Sequence, residues 1–279
     1  MMAEIGEKDI SLTVTEAARR VLDEGALAAL ATLVVAPQNV GAKMLVGETG
    51  KIAGGVGDAA LDEQIIKQAS AFLASRVEAR TYNVEDFAGD LTEWRGARVL
   101  FERIGPAPHV VVCGAGHVGA SLARLAHAVG YRVTLIDDRA EFVMRERFPE
   151  TAIELVAAAS WTDAVREAIG KGRGVAVAVV TRGHNEDEEC LRAVVAALPD
   201  YVGMIGSRRR TNIVLDRLRE TGVADSLLRE VRAPVGLDIG AVAPEEVALA
   251  ILAEIIAERR GGTGAPLSAW RREKVVRQK

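Results

Sequence analysis

Short apolar runs alternate with amphipathic stretches along the second half of the chain. The three pairs lie at 152–157 with 162–169, at 175–180 with 187–198, and at 201–205 with 208–221. Strands that are buried on both faces appear as continuous apolar runs, and strands that alternate with helices form parallel sheets. The pattern therefore predicts β-α repeats that build a parallel sheet with helices on both faces.

The first part of the chain has a different pattern. Residues 26–35 form an apolar run, strands are predicted at 42–46 and 98–104, and a predicted helix at 62–76 carries its apolar residues on one side. Between them, residues 47–57 hold five glycines and little bulk. This mixture predicts a smaller α+β domain.

Two prolines, Pro106 and Pro108, stand immediately before the first strand of the repeating half. Proline removes a backbone donor and favours extended structure, as in a linker. We therefore predict an N-terminal α+β domain at 1–104 and a Rossmann-like α/β domain at 109–262. The basic tail at 263–279 is expected to be solvated.

A glycine-rich turn opens the second domain. The apolar run at 110–112 enters a G-x-G-x-x-G motif, and a helix is predicted at 121–129; the motif glycines are Gly114, Gly116 and Gly119. Such a turn lets backbone N–H groups at a helix N-terminus face a phosphate. The alternative is a tight turn that binds nothing. His117, inside the turn, would either lie near a bound phosphate or cap or pack the helix.

Asp137 and Asp138 end the next predicted strand, where a ribose-binding acid belongs in a dinucleotide site. Arg139 beside them could accept a phosphate instead. The residues therefore leave NAD-like, NADP-like and other ligands open.

Polar residues also follow the next buried strand. Arg182 is a candidate anion clamp, and His184 a candidate general acid or base, ligand or anion donor, because open α/β sheets bind ligands at the carboxyl ends of their strands. Alternatively, the loop is structural and Asn185 caps a helix that begins with the acids at 186–189.

A second strand–glycine–helix arrangement ends at Ser207, the predicted N-cap of a helix with Arg208, Arg209 and Arg210 in its first turn. Cations in the first turn of a helix oppose the helix dipole. This conflict favours the interpretation that the arginines contact a phosphate or pterin phosphate; the alternative is a solvated arginine face. Asp238 lies in the turn 234–240, which is either a buried structural turn or a ligand site. A helix is predicted to start near Pro244, because proline is common in the first turn of a helix.

Composition narrows the function classes. The net charge of −4 and the pI of about 5.7 argue against nucleic-acid binding. No apolar run is long enough to span a membrane, and the N-terminus lacks a signal-peptide pattern. The two cysteines, Cys113 and Cys190, are expected to be small buried hydrophobes, and the four histidines are too scattered for a zinc site. We expect a cytoplasmic protein without a bound metal ion.

Taken together, several segments resemble the xanthine dehydrogenase accessory factor family, XdhC/CoxI. The similarity covers most of the chain and rests on the glycine turn and on the segments 137–139, 147–149, 181–184 with Asp187, 201–209, 234–240, 244–246, 30–34 and 41–46. The chain departs from the family pattern at 36–38 and 57–62, and it lacks the Cys-Gly-Gly motif that many members carry before residue 98.

The resemblance implies a non-redox accessory protein that binds the molybdenum cofactor (molybdopterin), supports its sulfuration and hands it to a molybdenum hydroxylase apoenzyme. The hydroxylase would be of xanthine dehydrogenase or CO dehydrogenase type. A cysteine desulfurase is an implied further partner, and a homo-oligomer is expected. Two alternatives stay open: an NAD(P)-dependent oxidoreductase, and a module that senses a nicotinamide or adenine nucleotide or serves assembly.

Overall fold

The structure, a computed structural model, describes residues 13–75 and 77–268. The chain divides into two compact units, Met1–Pro106 and Ala107–Lys279. The part of the predicted basic tail from residue 269 onward lies outside the described residues.

The first unit is an antiparallel sheet with a helix on each face. Its elements are α1 (Val14–Asp23), β1 (Ala28–Val35), β2 (Lys43–Gly47), β3 (Gly50–Gly54), α2 (Ala59–Ala74), β4 (Ala79–Asn83) and β5 (Arg98–Ile104). The strand order is β3-β2-β1-β5-β4. Alternate residues of β1 face opposite sides: Ala29 and Ala31 pack in the core that contains α2, and Ala28 packs in the core that contains α1.

The second unit is a six-stranded parallel sheet. Its first elements are β6 (His109–Cys113), α3 (His117–Ala128), β7 (Arg132–Asp137), β8 (Ile153–Ala157) and α4 (Trp161–Ile169). They are followed by β9 (Val175–Val179), α5 (His184–Ala197), β10 (Tyr201–Met204), α6 (Arg208–Glu220), α7 (Asp225–Arg229), β11 (Val231–Arg232) and α8 (Pro244–Arg260). The strand order is β8-β7-β6-β9-β10-β11, the doubly wound arrangement of a Rossmann domain.

Strand β6 lies at the centre of this unit. Val110 and Val112 belong to the core that α3 and α8 cover, whereas Val111 and Cys113 belong to the core on the opposite face, with α4 and α5. All four side chains are completely buried. This two-sided burial explains why the strand is a continuous apolar run in the sequence.

The predicted fold class is confirmed: a Rossmann-like parallel sheet and an antiparallel α+β unit. The N-terminal half has more regular structure than predicted. The glycine-rich stretch 47–57 contains β3, which pairs with β2 through a tight turn at Gly47 and Gly50. Strand β4, exposed along most of its length, lacks the apolar pattern that would have predicted it.

Candidate functional site

Four loops of the second unit follow the carboxyl ends of neighbouring parallel strands. They follow β7, β6, β9 and β10, and these strands lie side by side in that order. The chain leaves β6 toward β7 on one side and returns to β9 on the other, so a crevice forms above β6. Nearly all of the predicted site residues lie at the ends of these strands, on these loops or in the first turns of the helices that follow: Gly114, Gly116, His117, Gly119, Asp137, Asp138, Arg182, His184, Asp187, Ser207, Arg208 and Arg209.

The three glycines of the turn are there for different reasons. Gly114 has φ +113°, and a Cβ there would approach the Val180 carbonyl oxygen to 2.6 Å. A Cβ at Gly119 would collide with the Gly114 carbonyl oxygen, so this glycine lets α3 pack closely on the turn. Gly116, the N-cap of α3, has an ordinary φ of −66°, and a Cβ there would meet nothing within 4 Å. The turn is therefore open at Gly116.

The peptide groups of Ala115 hold the turn in place. The Ala115 N–H donates to Asp137 Oδ2 at 2.7 Å, and its carbonyl oxygen accepts from Arg147 Nη2 at 3.4 Å. Arg147 also stacks on the Phe142 ring, 4.7 Å from its centroid. Arg147 was not predicted as a site residue from the glycine motif, because its contact with the turn bridges 32 positions of sequence.

Asp137 is buried and bound from several directions. In addition to the Ala115 N–H, its carboxylate accepts from the Arg139 backbone N–H at 3.0 Å and from Arg139 Nε and Nη2 at 2.8 and 3.0 Å. Burial raises the pKa of Asp137, but the hydrogen bonds from Arg139 and Ala115 outweigh it and hold the pKa below its ordinary value. Asp137 is thus an ionised carboxylate that fastens the glycine turn to β7.

A chain of ion pairs runs across the crevice. Asp138 accepts from Arg182 Nη2 at 3.0 Å, and Arg182 Nε lies 3.4 Å from Glu186. Because β7 and β9 flank β6, the Asp138–Arg182 pair links the loops on the two sides of the glycine turn. The predicted anion clamp, Arg182, is therefore paired with acids of the same edge.

Asp187 lies completely buried in the first turn of α5. It accepts a hydrogen bond from the Thr181 hydroxyl and forms a salt bridge with Arg210, whose Nε lies 2.9 Å away. The expectation that the three arginines of α6 need an external negative partner is therefore wrong for Arg210. The N-cap of α5 is Gly183, so the alternative in which Asn185 caps the helix is also wrong. His184 is the first residue of that helix, and its ligand role stays a prediction.

Ser207 caps α6 as predicted, with its side chain accepting from the Arg210 N–H at 3.2 Å. Arg208 and Arg209 are exposed and have no acidic partner among the described residues. His117 is exposed at the start of α3. Arg208 and Arg209, without acidic partners among the described residues, thus follow β10, which lies two strands from the strand that precedes the glycine turn.

Asp238, the remaining predicted site residue, lies outside the loops that follow β6, β7, β9 and β10. It is not buried, so the buried turn considered from the sequence is wrong. It lines a shallow depression of about 220 Å³ formed by residues 235–241 with Val247 and Ala250, which includes no residue of the glycine turn.

Both cysteines are buried free thiols, as predicted. Burial, together with the neighbouring Cys113, raises the pKa of Cys190, so its thiol is protonated. In the described part of the chain, histidine, cysteine and acidic side chains do not form a group of three that could hold a metal ion. Within residues 13–75 and 77–268, no helix combines the length and apolar content that crossing a membrane requires.

The parallel sheet, its strand order and the glycine turn at the first strand define the class as a Rossmann domain. Residues 110–255 match the family described as the XdhC Rossmann domain, and residues 21–83 match the XdhC and CoxI family. The chain belongs to the XdhC/CoxI family.

Two curated relatives match the chain. The uncharacterized protein YqeB of Escherichia coli is 31% identical over 80% of this chain and 41% of its own length. A Bacillus subtilis protein described as a probable xanthine dehydrogenase subunit is 29% identical over 58% of this chain and 46% of its own length. The chain therefore spans less than half the length of these relatives.

Among solved structures, one described as a xanthine dehydrogenase from Bacillus halodurans is 17% identical, with a TM-score of 0.49. The match covers 93% of this chain and 99% of that one.

Proposed function

We propose that the chain is an accessory protein that binds the molybdenum cofactor and assists its sulfuration and insertion into a molybdenum hydroxylase of xanthine dehydrogenase or CO dehydrogenase type. Family membership supports this proposal. The observation that carries it is the open N-cap of α3: Gly116 has no side-chain cap, and the space beside it is free. A phosphate can approach backbone N–H groups there, where the helix dipole favours negative charge.

The residues at this edge fit the phosphate of the cofactor. The α3 N-terminus would hold it, and Arg208 and Arg209, which have no acidic partner among the described residues, would attract a second negative group. When bound, the cofactor supplies the redox metal of the receiving enzyme. The residues of this chain bind and orient it, and the buried Asp137 and Asp187 hold the loops in place.

The partners follow from the same proposal. They are a molybdenum hydroxylase apoenzyme, which receives the cofactor, a cysteine desulfurase, which supplies sulfur, and a second copy of this chain. A molybdenum hydroxylase co-expressed with this chain is therefore expected to be more active per mole of enzyme than one expressed alone.

An NAD(P)-dependent oxidoreductase is less well supported. The carboxylate that would accept the ribose hydroxyls, Asp137, is already bound by Ala115 and Arg139. Steady NAD(P)H turnover by the purified chain would favour this alternative.

The test of the binding site is Gly116→Val. The backbone at Gly116 has an ordinary φ, and no protein atom lies where the new side chain begins, so the fold is expected to persist. The side chain would fill the space for the phosphate. We expect calorimetry with molybdopterin to show at least tenfold weaker binding, about 1.4 kcal/mol.

The matched control is Ala128→Val, which adds the same kind of side chain at the exposed last residue of α3. The control should bind like the wild type. Equal affinities for Gly116→Val and wild type, with both proteins folded, would contradict a phosphate site at this turn.

A further inference from the structure

The acid at the end of the second Rossmann strand, Asp137, has its acceptor capacity occupied. A ribose-binding acid in this fold accepts hydrogen bonds from ribose hydroxyls, which requires free lone pairs on the carboxylate. A carboxylate offers about four such sites. Asp137 accepts four hydrogen bonds from the chain itself: one from the Ala115 N–H and three from the backbone and side chain of Arg139. A ribose diol would have to displace one of these donors.

Arg139 is held firmly in this position. Its guanidinium lies 3.6 Å from the centroid of the Phe142 ring, a stacking contact that adds to the bidentate pair with Asp137. The side chain of Asp137 is only 2% exposed, whereas that of Arg139 is 26% exposed, so Arg139 lies on the outer side and covers the carboxylate. Moving Arg139 away would leave a buried charge without its partner, which is costly.

The Asp138–Arg182 salt bridge adds a second obstacle at the same place. It connects the loop after β7 with the loop after β9, and the glycine turn lies between these two strands. A nucleoside that extends from the glycine turn toward β7 would have to pass this pair. At Gly116, in contrast, a Cβ would meet no atom within 4 Å from elsewhere in the fold.

We propose that Arg139 is a specificity-determining residue: by occupying the Asp137 carboxylate it excludes ligands that are recognised through a free ribose diol, and it leaves the glycine turn to ligands held by phosphate alone. This proposal rests on the proposed function only in that it takes the glycine turn to bind phosphate. The ribose diol of an adenine nucleotide would therefore add nothing to its affinity, although the glycine motif is shared with dinucleotide-binding proteins.

The test compares inorganic pyrophosphate with ADP, which carries the same pyrophosphate plus adenosine with a free diol. Calorimetry is performed on the full chain as wild type, as Arg139→Ala and as Arg145→Ala. Arg145 lies on the same loop, is exposed and donates to the Glu150 carbonyl rather than to Asp137, so it is the matched control.

We expect wild type and Arg145→Ala to bind ADP and pyrophosphate with dissociation constants that agree within about threefold, because the diol contributes nothing. In Arg139→Ala the carboxylate of Asp137 regains free lone pairs, and ADP is expected to bind about tenfold more tightly than pyrophosphate, the size of one charge-assisted hydrogen bond. Tenfold tighter binding of ADP than of pyrophosphate by the wild type, or no gain in a folded Arg139→Ala, would overturn the proposal.

A second measurement uses the wild type alone and so does not depend on the folding of a variant. ADP and 2′,3′-dideoxy-ADP are expected to bind equally well, and a fivefold or greater loss on removal of the hydroxyls would overturn the proposal. Failure of the proposed function gives a different result from failure of the Arg139 proposal. If the proposed function fails, the wild type does not bind pyrophosphate at all, or Gly116→Val does not weaken that binding. If the wild type binds pyrophosphate but binds ADP much more tightly, the proposal about Arg139 is overturned and the phosphate site is not.

Discussion

Single residues at the carboxyl edge of the parallel sheet differ in whether their charge is already satisfied within the chain. Asp137 and Asp187 are buried and paired with arginines, so they are expected to hold loops in place. Arg208 and Arg209 are exposed and have no acidic partner in the described part of the chain. A charged side chain without a partner in the described part of the chain is therefore the better indication of a ligand contact.

Replacing both Arg208 and Arg209 by Gln tests that distinction. If both contact an anionic ligand, binding of molybdopterin should weaken by roughly 2–4 kcal/mol, about 1–2 kcal/mol for each charge-assisted hydrogen bond lost. The free energy of unfolding should stay the same or rise by a few tenths of a kcal/mol, because cations at a helix N-terminus oppose its dipole. Calorimetry and urea denaturation measure the two effects.

The control replaces Arg217 and Arg219, at the other end of α6, by Gln, so it also removes two positive charges from the helix. Its affinity for molybdopterin should match that of the wild type. Equal weakening in both double variants would point to a general charge effect and away from a site at Ser207.

Helices α5 and α6 are joined by an ion pair that neither helix reveals in its own sequence pattern. Asp187 lies in the first turn of α5 and Arg210 in the first turn of α6, so the pair connects the segments that follow β9 and β10. These loops carry Arg182 and Ser207, so the pair sets the spacing of two proposed ligand contacts.

Breaking this pair by Arg210→Ala should cost about 3–5 kcal/mol of unfolding free energy, since it leaves the buried Asp187 carboxylate without its guanidinium. Arg219→Ala on the same helix removes two exposed pairs, with Asp216 and Asp225, and should cost about 1 kcal/mol or less because exposed ion pairs contribute little. Urea denaturation compares them. A loss below 1 kcal/mol in Arg210→Ala would show that Asp187 does not depend on this partner.

Side-chain hydrogen bonds connect three neighbouring strands of the parallel sheet. His109 of β6 lies 2.9 Å from the Thr134 hydroxyl of β7, which donates to Glu154 of β8 at 2.8 Å. Burial and the nearby positive charge of Arg132 lower the pKa of His109 to about 4, although Glu154 acts in the opposite direction. His109 is therefore neutral in the folded protein at neutral pH.

The lowered pKa of His109 predicts that the free energy of unfolding depends on pH. A histidine in the unfolded chain takes up its proton near pH 6.5, so between this pH and about pH 4 the unfolded state binds more protons than the folded one. The free energy of unfolding should accordingly fall as the pH is lowered from 7 to 5, by at most about 1.4 kcal/mol per pH unit. Urea denaturation at several pH values should show a shallower fall in His109→Gln. Identical slopes would contradict the role of His109.

The whole molecule consists of two units with separate cores. The core residues of the first unit come from positions 17–101, and those of the second unit come from positions 110–255. Since each unit buries its apolar residues against its own elements, each should be stable without the other.

We expect the fragments 1–106 and 107–279, expressed separately, each to unfold cooperatively in urea as followed by circular dichroism. Trp94 and Trp161 are buried in the first and second unit, so fluorescence also reports on each fragment. A fragment without a cooperative transition would show that its core depends on the other unit.

The parallel sheet and the glycine turn could be predicted from the sequence, and so could the edge of the sheet at which a ligand is proposed to bind. Continuous apolar runs, helical spacing and glycines are local signals, and the rule that ligands bind at strand carboxyl ends connects them without knowledge of contacts. Strands β3 and β4 escaped prediction because their residues are largely exposed and carry no apolar pattern.

Which of the charged side chains are paired could not be predicted from the sequence. Asp137 and Asp138 are equivalent in the sequence, yet one is buried under Arg139 and the other reaches Arg182, 44 positions away. Arg208, Arg209 and Arg210 form one run, yet only Arg210 meets Asp187. The physical reason is that hydrogen bonding and burial depend on side-chain direction and on neighbours that are distant in sequence, and both are set when the strands assemble.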